Sequence, residues 1–286
     1  MSDLVSGARR PLFCDIALAA RIERADVDLI AKAGEASALR TGDPAAFATP
    51  IAGGVAVFAE EGSPFNKVAG LGFSGVPSDA ELNEIERAYG ACGAPVQVEL
   101  SNLAEPAVGA TLTERGYRLA SYENVLGLAI TPDVEWAAPP GIDVRRIGDD
   151  EFAAWLDVVV DGFAHPDDQG IAFHEEFPRE VIERAERDVA AAGVVRYAAL
   201  LDRVIAGGGS IRIADGVAQF AGAATAPAYR RRGVQTALLA ARLADAAAAG
   251  CDIAVVTTQP GSRSQQNVQG RGFELLYTRA VLIKDP

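Results

Sequence analysis

Three consecutive arginines and a glycine, Arg230-Arg231-Arg232-Gly233, stand between an alternating run at Val217–Thr225 and an Ala/Leu-rich run from Val234. The alternation of small and β-branched residues predicts a partly buried strand. The run that follows (Ala237, Leu238, Leu239, Ala240, Ala241, Leu243, Ala244) predicts a helix. A glycine at a strand-to-helix turn lets backbone approach a ligand with no Cβ between them. The first N–H groups of the helix have no intrahelical partner, and the helix dipole favours an anion at that end. Guanidinium groups just before it add donors suited to phosphate oxygens. The chemistry predicted is a phosphate cradle. It is not a Walker loop, since the GxxxxGK[ST] spacing is absent and no lysine lies nearby. A solvated arginine corner fits the same spacing.

A second group of reactive side chains lies upstream: Asp161, His165, Asp167, Asp168, His174, Glu175 and Glu176. These are titratable candidates for taking a proton from an attacking group, directly or through water. Their charge also favours a cationic partner. A solvated acidic loop is the plain alternative for each. The two histidines are nine apart, with no HExxH or other ligand spacing, so no metal is expected. Cys14, Cys92 and Cys251 are isolated, which predicts no disulfide framework and a reducing, cytoplasmic setting. Cys251 opens a strand-like run and reads as packed rather than nucleophilic.

A chain of 286 residues suits one large or two medium domains. With 49% hydrophobic and 23% charged residues, the chain can fill real cores. A net charge of −13 argues against non-specific binding to nucleic acid or anionic membrane. No run is apolar for long enough to span a bilayer. Asp15 to about Ala36 carries Asp15, Arg21, Glu23, Arg24, Asp26 and Asp28 among its apolar residues and reads as an amphipathic helix, not a signal segment. Residues 37–50 read as a polar loop. Gly53–Glu60 and Lys67–Phe73 read as strands, and Ser78 or Asp79 caps a helix running to about Cys92. Val96–Leu100 is a strand, Glu105–Arg115 a short helix ended by Gly116, and Tyr117–Ile130 a strand pair or one long bent strand.

Pro132–Gly141, with three prolines and a glycine, is the linker candidate and divides the chain into 1–133 and 142–286. Residues 142–147 restart as a strand. Helices follow over Asp149–Ala164 and Phe173–Ala192. Three strands come next, at 196–201, 204–213 and 217–225, with Asp202-Arg203 and Asp215-Gly216 as tight turns. The cradle helix runs to about Ala249, followed by a strand at Ile253–Thr258, a short helix at Arg263–Gly270 and terminal β structure. The halves read as a duplication of one fold, with chance matching of strand–helix–strand units in an Ala/Gly-rich chain as the plain alternative. A strand, short helix and Arg-Gly-aromatic triplet run from Gly93 to Gly116-Tyr117, and again from Gly250 to Gly272-Phe273. The first copy has Gly75-Val76-Pro77-Ser78 where the second has its arginines.

The Arg-x-x-Gly loop before an Ala/Leu-rich helix resembles the acetyl-CoA pyrophosphate loop, Q/R-x-x-G-x-G/A, of the GCN5-related N-acetyltransferase (GNAT) superfamily. Arg230 and Gly233 match; Gln235 stands where Gly or Ala is usual. Residues 142–283 resemble a full domain of that superfamily, and about 12–130 a degenerate copy. The resemblance implies an α+β fold of tandem domains, each a mostly antiparallel central sheet flanked by helices. It implies an acetyl-CoA (or other acyl-CoA)-dependent N-acetyltransferase acting on a small-molecule amine by direct transfer in a ternary complex, as a monomer or homodimer. A CoA-binding regulatory module without turnover is the alternative. Ala223, Ala224 and Thr225 would pair with the pantetheine arm. Arg230, Arg231, Arg232, Gly233, Val234, Gln235 and Thr236 would hold the pyrophosphate, with a Cβ at Gly233 falling between backbone and ligand. Ser264-x-x-Asn267-x-x-x-Arg271-Gly272-Phe273 resembles the superfamily's C-terminal element, with Asn267 toward the cofactor. Many members place a general-acid tyrosine where this chain has Val268, and a glutamate on the strand that here offers Gln219. Tyr277, Glu175, Glu176 and His174 are the remaining catalytic candidates.

Overall fold

The computed structural model describes residues 11–131, 134, 136–165 and 177–286. Asp15 accepts a hydrogen bond from the Leu18 N–H and starts α1 (Ile16–Thr41), which Gly42 closes in the left-handed conformation. Then come β1 (Phe47–Ile51), β2 (Gly54–Phe58), β3 (Lys67–Ala69), α2 (Asp79–Ala91), β4 (Val96–Ser101), α3 (Pro106–Glu114) and β5 (Arg118–Ala129). The second half runs β6 (Ile142–Arg146), α4 (Phe152–Ala164), α5 (Arg179–Ala191), β7 (Val195–Leu201), β8 (Val204–Ala214), β9 (Val217–Thr225), α6 (Val234–Ala248), β10 (Ile253–Thr258), α7 (Arg263–Gln269) and β11 (Glu274–Lys284).

The expected loop at 37–50 shrinks to residues 42–46: residues 37–41 belong to the end of α1 and 47–50 to β1. Pro50 disguises that strand, and it is tolerated because β1 lies at the sheet edge. Residues 118–129 form one strand. The turns at Asp202-Arg203 and Asp215-Gly216 have positive φ at both residues, the signature of tight hairpins with I′ geometry.

All strands join one sheet in the order β1-β2-β3-β4-β11-β5-β10-β9-β8-β7-β6. Only β3–β4 and β9–β10 run parallel. Each half gives its last strand to the other: β11 lies between β4 and β5, and β5 between β11 and β10. The repeat becomes a pseudo-twofold here. Glu123 and Arg279 each lie seven residues past their glycine (116 to 123, 272 to 279), and they are directly opposed across the β5–β11 ladder. The four repeat glycines, Gly93, Gly116, Gly250 and Gly272, all have positive φ.

Buried charge sits on that axis. The Arg279 guanidinium reaches Glu23 at 2.8 Å, Asp26 at 3.0 Å, Glu99 at 3.5 Å and Glu123 at 4.0 Å. Burial, then the Glu99 charge, raises Glu123 to about 7. Apolar layers flank the sheet. On one face α6 packs on Leu126, Leu128, Ala218, Phe220 and Ala254. On the other α1 packs on Val125, Val217, Ile253, Val255 and Tyr277.

Candidate functional site

β9 and β10 stay in register from Val217/Ile253 to Phe220/Val256. Past that point β9 continues through Thr225 beside β8 alone, so the parallel pair splays. A bulge sharpens the divergence. The β8–β9 register passes from Gly208/Ala224 to Ser210/Ala221, giving β9 one extra residue, and Gly222 takes φ +53°. Beyond Thr225, a single 3-10 turn (Pro227–Tyr229) leads to Arg231 at φ +59° and Gly233 at φ +90°, which begins α6 at the mouth of the splay.

No side chain caps α6. Its first-turn N–H groups, on Val234, Gln235 and Thr236, have no intrahelical partner and sit at the positive end of the helix dipole. The first half is chemically different. There Ser78 Oγ accepts the Glu81 N–H, and the Glu81 carboxylate accepts the Ser78 N–H at 2.7 Å. The Ser78 hydroxyl and N–H hold that carboxyl below its ordinary range. A reciprocal capping box thus closes the N-terminus of α2, where α6 has no side-chain cap.

The structure brings Arg231–Thr236 together at the cradle but turns Arg230 elsewhere. Its guanidinium donates to the carbonyls of Gly162, at 3.2 Å, and His165, at the C-terminal end of α4, a favourable place for a cation. Its Nε lies 3.5 Å from the Thr225 carbonyl. Arg231 and Arg232 are exposed, and Arg232 lies over the Tyr229 ring. Gln235 Nε2 donates to Thr225 Oγ1 at 2.9 Å, and Arg271 donates to Thr236 Oγ1 at 2.6 Å, tying α7 to the cradle. Ala223 is exposed and Ala224 buried.

The expectation for Gly233 needs correction. A Cβ there would meet Pro139 of the linker at 3.2 Å, not the ligand side. The glycine is required by its φ. Gly233→Ala should therefore cost about 1–2 kcal/mol and lower Tm by about 2–6 °C. Acetyl-CoA affinity should fall with it as the first-turn N–H groups rotate. A melt and a titration both matching the parent would contradict this.

Of the remaining candidates, Tyr277 is far from solvent. Its hydroxyl donates to Glu23 Oε1 at 2.7 Å, and burial with the Glu23 charge raises its pKa well above the ordinary value. Asn267 is exposed on α7, and Val268 is a core residue. Gly272, at φ +91°, is the C′ glycine that closes the α7 turn: its N–H returns to the Gln269 carbonyl and the Phe273 N–H to the Val268 carbonyl. Asp161 and His165 are exposed and adjacent, at 3.3 Å. His174, Glu175 and Glu176, with Asp167 and Asp168, lie outside the described residues. Cys251 is buried and its thiol is pushed up by burial.

Sequence reasoning missed Glu186. This residue lies in the charged run REVIERAERDVAA, where nothing distinguishes it from its solvated neighbours. In the structure its side chain is 15% exposed and lies 3.6 Å from Arg196 Nε. A Cβ added to Gly222 would come 3.4 Å from Glu186 Oε1 and 3.9 Å from Ser210 Oγ, so both face the bulge. Burial raises the Glu186 pKa against the opposing charge of Arg196. Among the described residues, six buried side-chain polar atoms have no hydrogen-bond partner; Glu186 Oε2, Arg196 Nε and Ser210 Oγ are three of them. A fourth, Thr258 Oγ1, ends β10 on the opposite lip of the splay.

A mostly antiparallel sheet, splayed at a parallel pair with an uncapped glycine-led helix at the mouth, defines the GNAT fold class. Residues 156–273 match the family model described as Acetyltransferase (GNAT) family. The fold is shared with a GCN5-related N-acetyltransferase from Kribbella flavida, at 22% identity and TM-score 0.65, over 94% of this chain and 96% of that one. It is shared too with a tandem GNAT protein from the clavulanic acid biosynthesis pathway, at 14% identity and TM-score 0.59, over 93% and 95%. A GCN5-related N-acetyltransferase from Sphaerobacter thermophilus is similar over 72% of this chain and 65% of that one, at 15% identity and TM-score 0.52. No curated protein matches the sequence significantly. Among the described residues, no helix is long and apolar enough to cross a membrane.

Proposed function

We propose that the chain is an acetyl-CoA-dependent N-acetyltransferase that acts on a small-molecule amine by direct transfer in a ternary complex. The observation that carries this reading is the β9–β10 splay opening onto the uncapped N-terminus of α6. An acyl-CoA fits the donors present. The N–H groups of Val234–Thr236 suit a pyrophosphate, the β10-facing edge of Ala223–Thr225 suits the pantetheine amides, and Thr258 Oγ1 is an orphaned buried hydroxyl beside them. Arg231 and Arg232 add positive charge at the mouth, and Asn267 lies on the adjoining α7. When bound, acetyl-CoA supplies the acyl group and departs as the thiol.

The residues of the chain then have two tasks. The cradle and strand edge hold the thioester at the Gly222 bulge. Glu186, facing that bulge from the other side of the sheet, takes a proton from the acceptor ammonium so that nitrogen can attack. Burial of Cys251 supports direct transfer over an acyl-enzyme on that thiol. The segments 1–133 and 142–286 serve as a non-binding scaffold and the cofactor-bearing half.

A CoA-binding regulatory module is the second reading, favoured by Val268 in place of a hydroxyl acid and by the burial of Tyr277. Incubation of the protein and acetyl-CoA with a panel of primary amines, read by mass spectrometry, separates the two. Growth of an acetylated amine with matching CoA release is the expected result. Binding without consumption would establish the regulatory reading instead.

A further inference from the structure

Arg242 of α6 is only 3% exposed, and among the described residues its guanidinium meets carbonyls rather than carboxylates. It donates to Leu238 O of its own helix at 3.1 Å, to Ser210 O at 3.0 Å and to Ala221 O at 3.5 Å, and it stacks 4.7 Å from the Phe220 ring. Burial draws its pKa down to about 10, so it stays charged at neutral pH. A cation in a core without a paired anion is strongly unfavourable. The surrounding helix is Ala- and Leu-rich, so an apolar residue would satisfy its pattern.

The position of Arg242 explains why the charge is kept. Ser210 and Ala221 are the register pair at the edge of the β8–β9 shift, where β9 carries its extra residue and the ladder is broken. Buried carbonyls at such a break need a donor. Arg242 supplies one to each strand from the α6 side, while Gly209, the single residue of β8 facing the bulge, leaves it room: a Cβ there would come 3.2 Å from the guanidinium carbon.

We propose that Arg242 is a positioning residue of the cleft, clamping the Ser210 and Ala221 carbonyls so that the Gly222 bulge holds Ala221–Thr225 away from β10. Its consequence for ligand binding rests on the acyl-CoA reading above; the strand geometry does not. Amide hydrogen exchange on Arg242→Met and Arg242→Lys tests it in the full chain without cofactor, beside calorimetric titration with acetyl-CoA. In Arg242→Met, exchange at 208–211 and 221–225 should accelerate about tenfold or more with β7 and the end of α6 unchanged. Acetyl-CoA affinity should fall about tenfold or more. Lysine, which reaches one carbonyl at a time, should lie between, and it decides by the same local exchange if the methionine variant does not fold. Unchanged exchange at 221–225, or a uniform rise across the whole half as ordinary core loss would give, overturns the proposal. A parent that fails to bind acetyl-CoA sinks the cofactor reading instead, and the exchange pattern still decides the clamp.

Discussion

Expressed alone, residues 142–286 should show no cooperative melt. In the intact chain β5 lies between β10 and β11, with six residue pairs in register from Ile253/Ala129 to Thr258/Asn124 on one side. Cutting at the linker removes β5 and β4 together, so β11 loses both of its neighbours. It also removes α1, which covers Val217, Ile253 and Val255. Arg279 would also lose Glu23, Asp26, Glu99 and Glu123, the whole of the ion-pair cluster that ties the two halves at the axis. Supplying residues 11–131 in trans should restore a cooperative transition. A fragment melting like the parent would contradict the exchanged-strand account.

Replacing Glu186 by glutamine should lower turnover by about 100-fold or more while leaving acetyl-CoA affinity within about twofold, since the contact lies on the acceptor side. Glutamine keeps the shape beside Arg196, but it cannot take a proton. The pH profile carries further information. Burial raises the folded pKa of Glu186, so activity should rise with pH through a value above the ordinary carboxylate range, and that limb should vanish in the variant. The stability effect has a fixed sign. A raised folded pKa stabilises the protonated form, so the parent gains from Glu186 at low pH and loses that increment as pH climbs from 4.5 through the folded pKa. Glutamine has no such dependence. Equal turnover in parent and variant, or a loss of acetyl-CoA binding as large as the loss of rate, would remove Glu186 from proton transfer.

Local chemistry was legible in the sequence where a few neighbouring residues decide the structure. Asp202-Arg203 and Asp215-Gly216 announced their hairpins, Ser78 its helix cap, and Arg230–Gly233 the strand-loop-helix of the cradle. The duplication was legible in its glycines. Long-range pairing was not. Nothing in the alternation of residues 118–129 says that the strand crosses to the second half, because a strand's pattern records which face is buried, not which neighbour it meets. The same limit hid Glu186 and Arg242. One sits in a run of charges and the other in an apolar helix, and both acquire their meaning from a bulge on a different element. Arg230 illustrates the reverse case. Its position in the motif was readable, but the α4 carbonyls that draw it away lie 65 and 68 residues upstream.

Calorimetric titration of the full chain with acetyl-CoA addresses the central claim most directly. One site per chain is expected, weakening as salt screens the exposed Arg231 and Arg232, because α6 offers an uncapped N-terminus while a capping box of Ser78 and Glu81 closes that of α2. A stoichiometry of two would show that the capping box does not close the first half. No binding at all, on folded protein, would contradict the account.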